Sequence, residues 1–451
     1  MSTITNYVTL LPSRTQAEAH LTELLTKQIR AELANERIIR QQRGLGEPSI
    51  DDELAIARAI INEERHRGPD DGAVAYELDV EDFDRIADAV VAGVLGLGRL
   101  QRLLEDADIS DIHVRGAAPV WIKWRNGTRT CVEPIVDSDE ELVELIRRAA
   151  TRLVRNEQRF DAANPELNLQ LPDGSRLFAT MAVSQHPSLI VRRHRFDISS
   201  LDELHGRGMF DEEIKRFLSA AVLARRNLVV AGGTGSGKTT LLRALLNEVP
   251  PIERIVTIED AYELGIERFA ERHPDHDALQ SRVANIEGRG AVTMADLTKM
   301  ALRMDPDRVI VGEVRGAEAF PMLMAMSQGN NGSMCTMHAD STRSVFPKLA
   351  AYVSMASTGL PVDTVNLIVA SAVHLVIYIE NSPGARRIRS IREVVDTDGL
   401  QIISNEVFSS TDDEPCRRAY PLRDKTAALL ETYGYTTTSA SSTHLWGGKL
   451  T

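Results

Sequence analysis

The sequence predicts an α/β protein whose main domain has a mostly parallel sheet, preceded by a small α+β domain and a helical N-terminal segment. Beyond about residue 210, apolar strand-like runs alternate with helix-forming stretches, the order expected when helices cover a parallel sheet. Between about residues 100 and 196, short segments alternate apolar with polar residues and are joined by turns that contain Gly and Pro. At 451 residues, the chain is also too long for one ordinary core.

Three helices are expected before the first strand. Residues 16–42 are almost all helix formers, and their apolar residues recur at helical spacing to form one stripe: Leu21, Leu24, Leu25, Ile29 and Leu33. Ser49 is expected to cap a second helix, and a third helix is expected over about residues 80–95. The alternative for the residues before Ser49 is a flexible charged extension. Residues 1–75 are therefore assigned to an N-terminal helical extension that is partly flexible.

Strand and turn signals divide the rest of the chain. A helix is expected over 140–154, a hairpin turn at Pro172-Asp173-Gly174, and strands at 111–114, 120–124, 167–171, 176–179 and 188–192. These elements, with a leading helix, predict a small α+β domain over residues 76–196. The polar stretch 197–209 is expected to be a linker and residues 210–410 the α/β domain. The turn-rich residues 411–451 are expected to be disordered.

Composition and charge limit the classes of protein. With 52 Lys and Arg against 65 Asp and Glu, the net charge is −13, so no direct nucleic-acid partner is expected. Cys131, Cys335 and Cys416 lie far apart without a CxxC pair, which speaks against a zinc ribbon and indicates reduced thiols in the cytosol. No apolar run approaches the roughly 18 to 20 residues of a membrane span, and the N-terminus lacks the pattern of a signal peptide. Membrane association is therefore expected through partners alone.

A glycine-rich loop lies between an apolar strand and a helix. Its residues fit G-x-x-x-x-G-K-[ST] and are followed by Thr240: Gly232, Gly233, Thr234, Gly235, Ser236, Gly237, Lys238 and Thr239. Backbone N–H groups of such a loop surround a β-phosphate at the N-terminus of the helix. Lys238 would neutralise the β- and γ-phosphates, and the Thr239 hydroxyl would bind Mg²⁺. The strand before and the helix after predict a nucleotide site, and the absence of the guanine-specifying N-K-x-D motif favours ATP.

Three further polar positions follow apolar strands. Glu259 and Asp260 come after residues 255–258, and Glu313 comes after residues 309–311. Neighbouring ends of parallel strands converge on the ligand side of a sheet, so these carboxylates are predicted to position a metal or activate water. Each acidic position taken alone is equally typical of a helix cap, and the division of roles between Glu259 and Glu313 stays open. His338, taken alone, is more typical of a structural histidine than of a phosphate ligand.

These segments together resemble the type II/IV secretion ATPase superfamily. Residues 257–264 are similar to its Asp box, residues 303–316 to its variant Walker B region and residues 335–341 to its His box. Residues 284–290 and the order of all the motifs resemble the CpaF branch, which assembles tight-adherence (Tad) pili and is related to the type IV secretion traffic ATPases. The resemblance covers about residues 75–410.

The resemblance implies a RecA-like P-loop NTPase domain in a homohexameric ring that hydrolyses ATP with Mg²⁺ to power pilus assembly or protein secretion across the bacterial envelope. It implies inner-membrane platform proteins as partners and a position at the cytoplasmic face of the inner membrane. The site would lie between the small domain and the RecA-like domain, where Arg176 and Arg192 match arginines that reach the phosphates. Glu259, Glu313 and His338 complete the implied catalytic set, with His338 as a γ-phosphate sensor, and Thr239 and Glu313 are the implied metal ligands.

Two positions depart from the pattern of that branch. Asn330 stands where the branch usually has His, and Asp340 stands where Asn is usual; both are expected to change turnover or subunit coupling rather than remove the machinery. The absence of cysteine clusters speaks against the type II secretion branch with a zinc module.

Two other functions stay open. One is a nucleic-acid translocase, which the net charge of −13 and the 5% aromatic content disfavour. The other is a ring scaffold that binds ATP without hydrolysing it. The sequence does not distinguish pilus extension from retraction, secretion or conjugation.

Overall fold

The computed structural model describes residues 16–43, 45, 48, 50–66, 79–153, 159–171, 174–193, 200–284, 288–382, 385–410 and 414–436. Within it the chain forms two compact units, Met1–His194 and Arg195–Thr451. Several predicted features lie outside the described residues: the Ser49 cap, Pro172 and Asp173 of the hairpin turn, and residues 285–287 of the branch-specific segment. Among the described residues, no helix is long and apolar enough to cross a membrane.

The first unit begins with three helices: α1 (Gln16–Gln42), α2 (Ile50–His66) and α3 (Val80–Leu95). Four residues of the apolar stripe of α1 are buried and pack with apolar residues of the other two helices, whereas Leu24 is half-buried and lies outside this cluster. The Arg40 guanidinium lies 2.8 Å from the Asp52 carboxylate and links α1 to α2. Residues 16–42 therefore form a packed helix, because their stripe has a partner surface on α2 and α3.

An antiparallel sheet with two helices follows in the same unit. Its elements are α4 (Arg99–Glu105), β1 (Ile109–Arg115), β2 (Val120–Trp124), β3 (Arg129–Val132), α5 (Asp139–Leu153), β4 (Glu166–Gln170), β5 (Arg176–Thr180) and β6 (Ser188–Arg192). The described strands lie in the order β3-β2-β1-β6-β5-β4. Buried residues alternate with half-buried or exposed residues along β4, β5 and β6, because one face of the sheet packs on the core and the other does not.

The second unit contains the mostly parallel sheet. Its strands are β7 (Leu228–Gly232), β8 (Ile255–Glu259), β9 (His276–Gln280), β10 (Arg308–Val314), β11 (Met334–His338), β12 (Leu375–Ser382), β13 (Ala385–Thr397), β14 (Ile402–Ser409) and β15 (Arg417–Arg418). They lie in the order β15-β14-β13-β12-β7-β11-β10-β8-β9. Neighbours from β12 through β9 run parallel, whereas β13, β14 and β15 are added antiparallel at one side.

Helices cover this sheet and complete the RecA-like α/β fold. They are α6 (Leu201–Gly206), α7 (Glu212–Leu223), α8 (Lys238–Leu246), α9 (Met294–Ala301), α10 (Ala319–Ser327), α11 (Val345–Met355), α12 (Val362–Ala372) and α13 (Asp424–Glu431). Every residue of β7 and of β8 is buried, as expected for central strands covered on both faces. Alternate residues of β7 enter different core clusters, Leu228 and Val230 in one and Val229 and Ala231 in the other.

The predicted linker differs from the structure. Residues 201–206 form helix α6, which starts at a capping box in which Ser200 and Glu203 exchange hydrogen bonds. Leu201 and Leu204 are both buried in the core of the second unit. The linker prediction is therefore wrong for residues 200–209, because two leucines three positions apart give this polar stretch an apolar side.

The predicted disordered tail also differs from the structure. Residues 414–436 include β15 and α13, and Tyr435 is only 1% exposed. The Tyr435 ring meets the Phe217 ring edge-on at a centroid distance of 5.2 Å. Arg418 lies 2.6 Å from the Glu213 carboxylate of α7. The prediction of disorder is wrong for residues 414–436, because a few long-range contacts anchor a segment that is polar overall.

Candidate functional site

The glycine-rich loop connects the end of β7 to the start of α8. Gly235 and Gly237 have φ values of 72° and 99°, in the left-handed region that favours glycine. A Cβ atom on Gly232 would lie 2.5 Å from the Ile379 carbonyl oxygen and 2.5 Å from Ser236 Oγ. The local sequence therefore folds this way because only glycine allows the turn and its close contact with β12.

Lys238 reaches back across the loop that precedes it. Its Nζ atom donates to the Gly233 carbonyl oxygen at 2.9 Å, and the residue is 8% exposed. Burial lowers the pKa of the Lys238 ammonium group, while the Glu313 carboxylate acts in the opposite direction. Ser236 is also buried, and its Oγ atom has no hydrogen-bond partner in the described part of the chain. The loop thus presents a positive charge and an unsatisfied hydroxyl group.

His338 and Glu313 come from the two strands that follow β7 across the sheet. His338 pairs with Gly232 in the parallel register of β11 and β7, so it lies beside the start of the loop. Its Nε2 atom is 2.9 Å from Glu313 Oε1, and the Glu313 side chain is 19% exposed. Burial and then the Lys238 charge lower the pKa of the His338 imidazole, which favours its neutral form. The structure therefore brings Lys238, His338 and Glu313 to one end of the sheet.

Arg315 joins this group, although the sequence reasoning gave it no role. Its Nε atom donates to Glu313 Oε2 at 2.6 Å, and its Nη1 atom lies 3.4 Å from Asp260 Oδ2. The residue after Arg315 is also held in place, because the backbone N–H of Gly316 donates a hydrogen bond to the Glu318 carboxylate at 2.8 Å. The sequence does contain a signal for the contact with Glu313. Arg315 follows Glu313 by two positions, and residues at that spacing lie on the same side of an extended chain.

Glu259 occupies a more enclosed position at the end of β8. It is 2% exposed, and its Oε1 atom accepts hydrogen bonds from the backbone N–H groups of Glu263 and Leu264 at 2.9 and 2.8 Å. Its Oε2 atom has no partner among the described residues. Burial raises the pKa of the Glu259 carboxyl group to about 7. One oxygen of this carboxylate is held in place, while the other is buried without a hydrogen-bond partner.

Gly312 lies against the Glu259 side chain and directly before Glu313. A Cβ atom on Gly312 would lie 3.0 Å from Glu259 Cγ, so glycine gives the Glu259 side chain room against β10. Gly312 directly precedes Glu313, and Ile258 pairs with Val311 in the register of β8 and β10. Both carboxylates therefore lie at the ends of neighbouring strands, as the sequence predicts.

The two predicted arginines belong to the first unit, and the structure brings them together there. Arg176 and Arg192 are directly opposite each other on β5 and β6. The Arg192 side chain is 60% exposed, and its Nε atom lies 3.2 Å from Asp111 Oδ1. These contacts form a basic pair beside one carboxylate at one end of the antiparallel sheet.

Arg386 is a second residue near the loop whose position is not evident from the sequence. Its Cδ atom lies 3.4 Å from the place that a Cβ on Gly237 would occupy, and Met209 Cε lies equally close. The backbone N–H of Ile388 donates to the Met209 carbonyl oxygen at 3.0 Å, which holds β13 beside residue 209. Arg386 is exposed and forms no ion pair with any described residue. Nothing local in the sequence links residue 386 to the loop.

The two departures from the branch pattern lie in turns. The Asn330 amide group donates to the Pro306 carbonyl oxygen at 2.5 Å, and the Asn330 carbonyl oxygen accepts from Ser333 Oγ at 2.7 Å. The backbone N–H of Asp340 donates to Ser344 Oγ at 3.2 Å. Asn330 thus connects the turn before β11 to the segment before β10.

The residues at this end of the sheet suit a magnesium–nucleotide complex. Over the described ranges, no group of three or more His, Cys, Asp or Glu side chains is arranged to hold a metal by itself. Magnesium bound to nucleotide phosphates keeps several waters and needs only one or two protein oxygens, and the sequence predicts Thr239 and Glu313 for this role. The unpartnered Glu259 Oε2 and Ser236 Oγ atoms are polar groups that such a ligand would satisfy.

Comparison with known proteins places the chain in a family. The sequence profile described as "Type II/IV secretion system protein" matches residues 95–414. A protein of Mycobacterium tuberculosis named for conjugal transfer is 36% identical over 301 residues, which cover 65% of this chain and 82% of the relative. The type IV secretion system protein PtlH of Bordetella pertussis is 31% identical over 335 residues, covering 67% and 95% of the two chains.

A solved structure is also similar. The VirB11 ATPase of the Brucella suis type IV secretion system shares 27% sequence identity, over 65% of this chain and 91% of that chain, with a TM-score of 0.35. Given the extent of the family match, the chain belongs to the type II/IV secretion system protein family. It is an ATPase of this family, whose members include proteins of type IV secretion systems.

Proposed function

We propose that this ATPase is the homohexameric motor of a tight-adherence pilus, the CpaF branch of its family, and that it acts on platform proteins at the cytoplasmic face of the inner membrane. The motif order and the segment around residues 284–290 support this branch. The names of the relatives point to conjugal transfer and type IV secretion, which are the principal alternatives.

The two glutamates are assigned different roles in hydrolysis. Glu259 is the general base, because it has a carboxylate oxygen without a hydrogen-bond partner and a pKa of about 7, where a base works best at neutral pH. Glu313 holds Mg²⁺ together with Thr239, and His338 and Arg315 orient its carboxylate. When bound, Mg²⁺ neutralises phosphate charge. The observation that carries the function is the grouping of Lys238, His338, Glu313 and Arg315 beside a phosphate-binding loop.

Arg176 and Arg192 are proposed to complete the site when the small domain, residues 76–196, closes on the RecA-like domain. The exposure of Arg192 and its alignment with Arg176 support this role, since paired guanidinium groups stabilise the charge that develops on a transferring phosphoryl group. Hydrolysis would release the closure and transmit motion to a membrane partner.

Phosphate release by the purified hexamer tests the catalytic part of the proposal. Lys238→Ala and Glu313→Gln are each expected to lower kcat by at least about 100-fold, because each removes charge or alignment at the phosphates. Lys299→Ala and Glu271→Gln change exposed residues of the same types and are the matched controls. Wild-type turnover in both site variants would contradict the assignment.

The cargo is tested in cells of the source organism. Replacing the chromosomal copy with Lys238→Ala is expected to abolish surface pili and to leave conjugation and protein secretion unchanged. Loss of conjugative transfer or of a secreted protein, with pili intact, would instead exclude the tight-adherence branch.

A further inference from the structure

A cleft in the first unit is lined by arginines from four helices. Its volume is about 260 Å³, and its walls come mainly from α1, α3, α4 and α5. The basic residues in its lining are Arg30, Arg85, Arg99, Arg102 and Arg148. None of these residues belongs to the ATPase site described above.

The acidic residues of the lining balance only part of this charge. They are Glu18, Asp137 and Glu141, so five positive and three negative side chains leave a net charge of +2. Glu18 forms an ion pair with Arg85, and Asp137 Oδ1 lies 3.3 Å from Arg99 Nη1. A local excess of positive charge is notable in a chain whose net charge is −13. Gathering like charges is unfavourable unless an anion offsets it.

Glu141 is already counted in this balance, and its carboxylate contacts the backbone. Its Oε2 atom accepts a hydrogen bond from the backbone N–H of Asp137 at 2.8 Å. Among the described residues, Arg30 and Arg102 have no ion-pair partner, and both are exposed. Two guanidinium groups from separate helices, α1 and α4, are therefore available at the cleft.

The chemistry of the lining indicates the class of ligand. Arginine binds phosphate oxygens through paired N–H groups, and it is the side chain favoured for phosphate recognition. A phosphate group offsets positive charge and offers several oxygens to guanidinium groups that approach from different helices, whereas a single carboxylate offers only two oxygens. Apolar side chains of α3, Ile86 and Val90 among them, also line the cleft and suit a ligand that has an apolar part.

We propose that this cleft binds a phosphate-bearing anion, which is either the headgroup of an anionic lipid or a soluble phosphate compound. An occupant in contact with Arg30 and Arg102 joins α1 to α4 and holds the N-terminal helices on the small domain. The site is independent of the ATPase assignment, because all its residues lie in the first unit and none contributes to the phosphate loop.

Binding to the full-length protein tests the proposal. All proteins carry Lys238→Ala so that the phosphate loop does not compete with the cleft for the probe. One probe is inorganic pyrophosphate without magnesium. The other is vesicles of phosphatidylcholine with or without phosphatidylglycerol. Arg30→Gln with Arg102→Gln is expected to weaken binding at least 10-fold. The matched control, Arg58→Gln with Arg115→Gln, removes two exposed arginines outside the cleft and is expected to change binding less than 2-fold.

The two probes separate the two sources of phosphate. Binding of pyrophosphate that depends on Arg30 and Arg102 supports a soluble ligand. Binding only to vesicles with phosphatidylglycerol, with the same dependence, supports a lipid headgroup. The proposal is overturned if the protein that carries Lys238→Ala alone binds neither probe. It is also overturned if the two double variants lose binding equally. Circular dichroism melting of each variant establishes that the changes leave the fold intact.

Discussion

Glu259 and Glu313 lie at the ends of neighbouring strands, yet their surroundings differ in the properties that decide how a carboxylate reacts. Glu259 is enclosed and has a pKa of about 7, and two backbone N–H groups donate hydrogen bonds to one of its carboxylate oxygens. Glu313 is more open and is bound on both oxygens, by His338 and by Arg315. The first arrangement suits proton transfer, and the second suits a fixed ligand.

The pH dependence of turnover tests the role of Glu259. Because its raised pKa keeps the carboxyl group protonated in acid, the basic form accumulates as pH rises through about 7, and kcat is expected to rise over the same range. Glu259→Gln is expected to lower kcat by about 10²- to 10⁴-fold and to flatten this pH profile. The measurement is kcat between pH 5.5 and 8.5 for both proteins, and a variant that keeps the wild-type profile would remove Glu259 from the role of base.

Nucleotide affinity tests the position of Arg386. Its side chain lies beside Gly237 with no ion pair to any described residue, so it is available to a bound nucleotide. Arg386→Ala is expected to raise the Kd for ADP roughly 10-fold, a typical loss for one charge-assisted contact. Arg387→Ala changes the neighbouring exposed arginine, which points to the other side of β13, and is the control. Equal affinities of the two variants for ADP, measured by fluorescence titration, would contradict the prediction.

At the scale of elements, the C-terminal segment shows how a polar sequence becomes part of a fold. β15 extends the sheet beside β14, and α13 packs against α7. Tyr435 lies between the Phe217 ring and the Arg418 guanidinium. Burial of one aromatic ring and satisfaction of its hydroxyl group offset the entropy lost on ordering this segment.

The stability of the second unit tests this anchoring. Tyr435→Ala removes a buried ring and is expected to lower the free energy of unfolding by about 3 kcal/mol, the usual cost of a large cavity. Tyr433 is 44% exposed, and Tyr433→Ala is expected to cost less than about 0.5 kcal/mol. Urea unfolding followed by circular dichroism measures both. An equal effect of the two substitutions would show that Tyr435 does not anchor the segment.

At the scale of the whole molecule, each unit holds part of the proposed catalytic set. The second unit supplies the loop, both glutamates, His338 and Arg315, whereas the first supplies the pair Arg176 and Arg192. In the proposed mechanism, ATP hydrolysis requires groups from both units. The rate of hydrolysis would then depend on closure of the small domain, as a motor requires.

Turnover by variants of the first unit tests this division. Arg192→Ala is expected to lower kcat about 10³-fold, the lower end of the usual effect of an arginine finger, and to leave ADP affinity within about 3-fold. Arg115, at the opposite end of β1, is also exposed, and Arg115→Ala is the control. If Arg192→Ala retains normal kcat, the small domain does not contribute to hydrolysis in the way proposed.

The sequence by itself determined the features that depend on neighbouring residues along the chain. The loop at residues 232–239 could be predicted because its glycines, lysine and threonine act within one strand–loop–helix unit. The strands that precede Glu259 and Glu313 could be predicted from local apolar runs, and their convergence follows from the geometry of parallel sheets.

Only the tertiary structure decided which distant side chains meet. The contact of Arg315 with Asp260 and the approach of Arg386 to Gly237 join residues more than 50 positions apart, so no local pattern reports them. The same holds for Tyr435 on Phe217 and for the arginines of the cleft in the first unit. Local periodicity determines helices and strands, whereas burial, charge and the environment of each catalytic group depend on packing between elements.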